Sequence, residues 1–288
     1  MNIPKIIFIV PYRNRETHKI FFSNYMSINL NEKKDYEIYY SFQSDNRPFN
    51  RGACKNIGFL AMRHKYPLHY KEITFVFNDI DTIPYKYIFD YETSKGIIKH
   101  FYGFDYALGG IVSILGVDFE SINGFPNYWG WGMEDALLQK RCEKKNLLIN
   151  RSNFFALGSP EILHLFDGVS RIINKKETIQ SKNENGQDGL TTLFKVKYYI
   201  ENELNNKNSF IIKILEFQCL TNPEKEKFYD YDLREPKNKI LYTERINKIN
   251  NINKWTNIPF YPTNDQKKEM INKFGLQKTN EIIKNNLL

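Results

Sequence analysis

Two almost unbroken apolar runs, Ile6–Val10 and Ile73–Phe77, constrain this chain most strongly. Such runs, without polar alternation, suit strands covered on both faces, as in parallel sheets flanked by helices. Between them, residues 16–30 carry Ile20, Phe21, Tyr25 and Ile28 at helical spacing. Tyr36–Phe42 is rich in Tyr and Ile and reads as another strand, and residues 52–65 suit a helix with Ile57, Leu60 and Ala61 inward. The order βαβαβ predicts an α/β fold with a mostly parallel central sheet and helices on both faces. In such sheets ligands bind beyond the carboxyl ends of the strands. Both Pro11-Tyr-Arg-Asn-Arg15 and the Asp79/Asp81 pair lie at such ends. Further on, Gly109–Leu115 reads as a strand, Ser121–Asp135 as an irregular segment dense in Gly, Asn and aromatics, and Ala136–Lys145 as a helix. Residues 181–189 read as a polar loop, and the chain ends in a helix-like stretch.

Composition narrows the function classes. The 288 residues are 41% hydrophobic and 15% aromatic, which excludes a disordered chain. No apolar run approaches the roughly 20 residues of a membrane-spanning helix, and Ile6–Val10 is too short for a signal-peptide core. Cys54, Cys142 and Cys219 are widely spaced and odd in number, so neither a disulfide framework nor a cysteine metal site is expected, and a reducing, cytoplasmic setting is. The net charge of +8 invites a nucleic-acid reading. The excess, however, is concentrated after about residue 171, where lysines alternate with Asn, Ile and Glu. No specific nucleic-acid partner is expected from that pattern, while a weak association with a membrane surface fits it.

Five local features carry chemistry. In Phe77-Asn-Asp-Ile-Asp81, two carboxylates one residue apart follow an apolar strand. They are hard oxygen ligands suited to Mg²⁺ or Mn²⁺ bridging to a diphosphate, although the same pattern also describes a solvated turn. Arg13 and Arg15 can clamp phosphate bidentately, or make surface salt bridges. Phe49-Asn-Arg51-Gly52 stands at the mouth of a helix, where anions are favoured and an aromatic can stack on a base; Phe49 could equally be core. In Trp129-Gly-Trp-Gly-Met-Glu-Asp135, glycines let the backbone approach a ligand, indoles stack on sugars, and two carboxylates can hold a hydroxyl and take its proton. His164 is a metal candidate only in company with Asp81; alone, it reads as a core histidine.

In order, the chain shows Val10-Pro-Tyr-Arg-Asn-Arg15, then Phe49-Asn-Arg51 with Asn56 and Gly58-Phe59, then Phe77-Asn-Asp-Ile-Asp81 with Pro84. Gly109-Gly110, Ile122-Asn-Gly-Phe125, Trp129-Gly-Trp-Gly132 with Glu134-Asp135, His164 and Asp188-Gly-Leu190 follow. This series resembles the β-1,4-galactosyltransferase family, including its N-acetylgalactosaminyltransferase and xylose-acceptor branches, over about residues 4–195. The resemblance implies a GT-A-like (Rossmann-like) nucleotide-sugar-binding fold. It implies inverting transfer of galactose or N-acetylgalactosamine from a UDP-sugar to a carbohydrate acceptor, with Mn²⁺ as cofactor and Mg²⁺ as the alternative. Pro11, Arg13, Arg15, Phe49 and Arg51 would then lie along the UDP and Asp79 against the nucleotide-sugar. Asp81 and His164 would be metal ligands. Trp131 would sit on a loop that closes over the donor, Gly132 and Glu134 would join it at the acceptor, and Asp135 would be the catalytic base.

Three departures from the family pattern matter. Glu161 stands where vertebrate members have Met, three residues before the metal His; as a harder ligand it is a further metal candidate. Ala107 replaces an aromatic that tunes galactose against N-acetylgalactosamine, and leaves room for an N-acetyl group. Met133 replaces a usual glycine and Ala136 a usual acid, so acceptor choice does not carry over. The expected division is a catalytic domain over 1–200 and a Lys/Asn-rich extension over 201–288 packed on it. With no anchor or stem evident, the expectation is a cytoplasmic enzyme of bacterial or viral type. Two other readings were weighed against it. A degenerate glycan-binding module on the same fold conflicts with intact Asp81, His164 and Asp135, and a metal-dependent nuclease lacks the extra carboxylates of a two-metal site.

Overall fold

The early apolar run folds as β1 (Ile6–Tyr12), with every residue buried, in a computed structural model that describes residues 3–33, 35–203, 206–235 and 264–285. Helix α1 (Glu16–Asn29), β2 (Tyr36–Gln43), α2 (Arg51–Lys65) and β3 (Thr74–Asn78) follow, as the βαβαβ pattern requires. β1 pairs in parallel with both β2 and β3. Because β2 and β3 flank β1 on opposite sides, right-handed crossovers put α1 and α2 on opposite faces. The two-residue period of the strands then feeds two cores. Ile7, Ile9, Tyr39, Phe75 and Phe77 pack with Ile57 and Met62 of α2. Ile6, Phe8, Val10, Tyr40 and Val76 pack with Phe22 and Met26 of α1.

Helix α1 forms where expected but turns a different face inward. Ile20 and Ile28 are 58% and 71% exposed, whereas Phe22 and Met26 are fully buried. The sheet covers only a narrow stripe of this helix, and the crossover geometry, not apolar spacing, selects that stripe.

Beyond β3 come β4 (Thr82–Pro84), β5 (Ile97–Gly103), β6 (Ile111–Leu115), α3 (Gly116–Ser121), α4 (Glu134–Lys144), β7 (Leu148–Asn150), β8 (Phe155–Ala156) and β9 (Ile162–His164). Then come β10 (Ser170–Ile173), α5 (Lys175–Gln180), β11 (Phe194–Asn202), β12 (Ser209–Gln218) and β13 (Tyr229–Asp232). The central sheet has the order β11-β12-β2-β1-β3-β6-β5-β7, with β8 also on β5. β6 is antiparallel to β3 and β5, and β11 to β12, while the other neighbours are parallel. This is the expected α/β architecture with a mostly parallel sheet. Two small ribbons, β4-β9 and β10-β13, lie outside it.

The boundary expected near residue 200 falls within β11. Through β12, the hairpin of β11 and β12 joins the edge of β2, and the first compact unit runs Met1–Asp232. In the second unit, Leu233–Leu288, the described residues form α6 (Asn264–Phe274) and α7 (Leu276–Asn285), joined at Gly275, whose φ is +80°. Among the described residues no helix is long and apolar enough to cross a membrane, and all three cysteines are buried and free.

One close approach fixes the entry of α2. A Cβ built on Gly52 would lie 2.0 Å from the Pro126 carbonyl oxygen, a backbone atom. Gly52→Ala must push apart α2 and the segment carrying Pro126, at about 1–3 kcal/mol by analogy with overpacked cores. Thermal denaturation should show a midpoint lower by roughly 2–10 °C; an unchanged midpoint would mean that the contact yields freely.

Candidate active site

The carboxyl ends of β1 and β3 and the mouth of α2 border a cleft of about 540 Å³. Pro11, Arg13 and Arg15 line it from β1 and the residues after it, Phe49 and Arg51 from the α2 entry, Asp79 and Asp81 from beyond β3, and Trp131 from the loop before α4. Eight of the sequence-derived candidates therefore share one hollow. Arg47 and Arg171 also line it, giving five arginines in all. Arg13 has a buried Nη1 with no hydrogen-bond partner, which leaves a cationic donor ready for an anion. Arg15 donates to the carbonyl of Asp167 at 2.5 Å.

Buried amide side chains hold the walls in place. Asn50 caps α2, its Oδ1 accepting from the Ala53 N–H at 2.8 Å while its Nδ2 donates to the Asn127 carbonyl at 2.9 Å. Asn56 grips the Phe125 backbone through both ends of its amide. Asn127 in turn donates from its backbone and side chain to Asp188, at 2.7 and 3.0 Å. These bonds explain why Asn56 and Asp188 belong to the motif series: they lock α2 to the segment leading into the tryptophan loop.

The two tryptophans divide their work. Trp129 is core, stacked on Phe217 at 5.2 Å and donating from Nε1 to the Thr221 carbonyl. Arg47 lies over both rings, at 4.7 and 4.5 Å. Trp131 reaches the cleft, its backbone N–H donating to the Ile172 carbonyl at 2.7 Å and Arg171 lying 5.9 Å over its ring. Gly130, between the two, takes φ of +89° and turns the chain from one destination to the other, and Gly132, after Trp131, takes φ of +118°. Met133, also left-handed at φ +71°, holds by strain a conformation that favours glycine.

The β4-β9 ribbon brings the metal candidates together. Its register sets Thr82 opposite His164, and the Leu165 N–H donates to the Asp81 carbonyl. His164 Nε2 then faces Asp81 Oδ2 at 3.6 Å. Tyr102 hydrogen-bonds the other ring nitrogen, Nδ1, at 3.2 Å, an outer-shell contact of the kind that orients a ligating imidazole. The Asp81 carboxylate raises the His164 pKa against the opposing effect of burial. A carboxylate oxygen and an imidazole nitrogen facing each other at the edge of an arginine-lined cleft fit a divalent ion such as Mn²⁺. Glu161 does not join them. It lies in the turn before β9, its carbonyl accepts from the Tyr85 N–H, and its side chain is exposed. Among the described residues no group of three or more His, Cys, Asp and Glu side chains converges on a metal position.

A partly buried charge cluster adjoins the cleft through Arg51 and Asp79. Arg51 Nη2 donates to Asp79 Oδ2 at 2.7 Å, and its other contacts reach Glu134 at 3.4 Å and Asp135 at 3.8 Å. Burial would raise the Asp79 pKa, but Arg51 and Lys55 hold it lowered. Glu134 is 3% exposed and has a buried Oε1 without a hydrogen-bond partner; burial pushes its pKa up. Asp135 lies in the first turn of α4, its carbonyl accepting from the Leu108 N–H at 3.0 Å. Gly109 lets its carboxylate sit close, since a Cβ there would be 2.6 Å from Oδ2. Lys55 donates to Asp135 Oδ1 at 3.0 Å and lies 3.6 Å from Asp79. Sequence reading missed Lys55, Arg47, Arg171 and Tyr102, because isolated basic or aromatic residues usually describe surface or core. Gly132 has no neighbour within 4 Å of where a Cβ would be, so it leaves open space beside Glu134.

Residues 2–93 match the family described as the N-terminal region of glycosyl transferase group 7, and residues 98–165 match the N-terminal domain of galactosyltransferase. Bos taurus β-1,4-galactosyltransferase 1 is 31% identical over 211 residues, which cover 66% of this chain and 49% of that protein. The xylosylprotein 4-β-galactosyltransferase of Caenorhabditis elegans is 28% identical over 215 residues, 68% of this chain and 72% of that protein. The chain thus spans about half the length of the mammalian relatives it matches. The catalytic domain of Drosophila β-1,4-galactosyltransferase 7, solved with xylobiose, shares the fold at a TM-score of 0.62 and 23% identity, over 75% of this chain and 95% of that one. The architecture is therefore the GT-A-like one expected.

Proposed function

This chain belongs to the β-1,4-galactosyltransferase family, and on that premise we propose that it is an inverting, metal-dependent glycosyltransferase that moves galactose or N-acetylgalactosamine from a UDP-sugar to a sugar acceptor. The observation that carries the reading is the sharing of the Arg51–Asp79 pair at 2.7 Å: both residues line the arginine-rich cleft, and both belong to the acid cluster that contains Asp135. A donor in the cleft therefore has a partly buried carboxylate cluster next to it.

Each residue has a role in this reading. Arg13, Arg15 and Arg51 bind the UDP diphosphate, and Phe49 and Pro11 flank the nucleotide. Asp81 and His164 would hold the divalent ion, whose charge would stabilise the departing diphosphate. Asp79 and Arg51 orient the donor sugar. Glu134, whose Oε1 has an ion-pair contact with Arg51 at 3.4 Å but no hydrogen bond, accepts a hydrogen bond from the acceptor, and Asp135 takes the proton from the attacking hydroxyl. The acceptor oxygen bonds the anomeric carbon as the bond to the diphosphate oxygen breaks, and UDP leaves with that electron pair. One displacement turns an α-linked donor into a β-linked product. Trp131, on its glycine-flanked loop, covers the donor against water.

A panel of UDP-sugars with Mn²⁺ and simple sugar acceptors, read by mass spectrometry, tests this. The expected result is UDP release with a new glycoside for a galactose-type donor. A protein that binds UDP and glycan yet releases no UDP from any donor would be a binding module instead.

Donor choice turns on Ala107, a buried small residue two positions before the glycine that packs on Asp135. Ala107→Tyr would fill the space beside the donor sugar. In competition between N-acetylated and unsubstituted donors, the variant should favour the unsubstituted one by about tenfold or more over the parent. An unchanged ratio would remove Ala107 from donor selection.

A further inference from the structure

Lys55 is 1% exposed, on a helix whose other buried positions are, apart from Asn56, apolar or small. An ammonium so deeply placed costs several kcal/mol unless it is paired. Its partners are specific: Nζ lies 3.0 Å from Asp135 Oδ1, 3.6 Å from Asp79 Oδ1 and 4.5 Å over the Phe125 ring. Arg51 precedes it by four residues on the same helix face, a like-charge spacing that repels without intervening carboxylates. Asp79, Glu134 and Asp135 supply those carboxylates.

The division of partners is the informative part. Arg51 is bonded to Asp79 at 2.7 Å but stands 3.8 Å from Asp135, while Lys55 does the reverse, at 3.6 and 3.0 Å. Each cation has one close carboxylate. With Lys55 neutral, Asp79 and Asp135 would compete for one guanidinium, and nothing would stop the Asp135 carboxylate from closing the gap to Arg51.

We propose that Lys55 is a positioning residue for the transfer reaction: its buried ammonium holds the Asp135 carboxylate away from Arg51, in the place from which it receives the acceptor proton. This rests on the transferase reading above. Misplacing a reacting group by about 1 Å costs on the order of 10²-fold in rate. Lys55 touches none of Arg13, Arg15, Asp81 and His164, and its one donor-side neighbour, Asp79 at 3.6 Å, keeps its 2.7 Å bond to Arg51, so donor binding should survive its loss.

The test is steady-state transfer with the best donor of the panel, alongside UDP calorimetry in Mn²⁺, for Lys55→Met, Lys55→Gln, Lys55→Arg and Asp135→Asn. Lys55→Met and Lys55→Gln should lower kcat about 10²-fold, with the donor KM and UDP affinity within about threefold. Lys55→Arg, which keeps a cation, should recover at least a tenth of the parent kcat. If Lys55→Met does not fold, the comparison of Gln with Arg decides. Equal kcat in those two, or a parent-like kcat in Lys55→Met, overturns the proposal. So does a fall of kcat and UDP affinity together, because that is the signature of a merely structural lysine. If Asp135→Asn transfers at the parent rate, the base assignment itself fails. If Asp135→Asn is inactive and Lys55→Met is unimpaired, only the role of Lys55 fails.

Discussion

Asp135→Asn should reduce sugar transfer about 10³-fold, the scale of losing a general base, while UDP still binds with near-parent affinity. Asparagine keeps the shape of the side chain, and its amide oxygen can still accept from Lys55, which now donates to Oδ1 at 3.0 Å. It cannot take a proton at neutral pH. The Asp135 backbone contact with Leu108 is untouched by the change, and the amide NH2 that takes the place of Oδ2 beside Gly109 is nearly the same size. The fold and the cleft should therefore persist, and the loss should fall on kcat. Rate measurements at saturating donor, paired with calorimetry of UDP in Mn²⁺, separate the two effects. Full activity in this variant would remove Asp135 from the chemistry.

Asp81→Ala should weaken metal-dependent UDP binding by about 10²-fold or more, since it takes away one of two facing ligands and not an outer-shell contact. His164 alone, 3.6 Å from the lost carboxylate oxygen and held by Tyr102, offers a single nitrogen. The arginines of the cleft remain, so a weak, metal-independent binding of UDP should persist. Calorimetry with and without Mn²⁺ checks this. If the variant keeps the parent's increase in affinity on adding Mn²⁺, the ion is held elsewhere.

The sequence made the sheet legible because β1 and β3 are buried on both faces, and only a continuous apolar run satisfies that. It did not reveal which side of α1 faces inward. Phe22 and Met26 go to the core, and Ile20 and Ile28 to solvent, through a crossover that local spacing does not encode. Asp81 and His164 were paired by resemblance alone. The 82 residues between them hide the short β4-β9 ribbon that brings them to 3.6 Å. Glu161 is a ligand candidate by resemblance, but it falls in the turn before β9 with its side chain exposed. The two tryptophans are alike in sequence, and the left-handed turn at Gly130 between them accompanies their separation, one to Phe217 and the other to the cleft. Lys55 was the least legible of all. A lysine in a helix ordinarily reaches water, and this one is buried because Asp79 and Asp135, distant in the chain, come to meet it.

The most direct test of a donor gripped on one side and an acid waiting on the other is the anomeric configuration of the product, read by proton NMR on a glycoside made from an α-linked UDP-sugar with Mn²⁺. A β-linkage is predicted, because attack from the Asp135 side opposite the diphosphate permits a single inverting displacement. An α-linked product, or no glycoside from any UDP-sugar, would contradict the account.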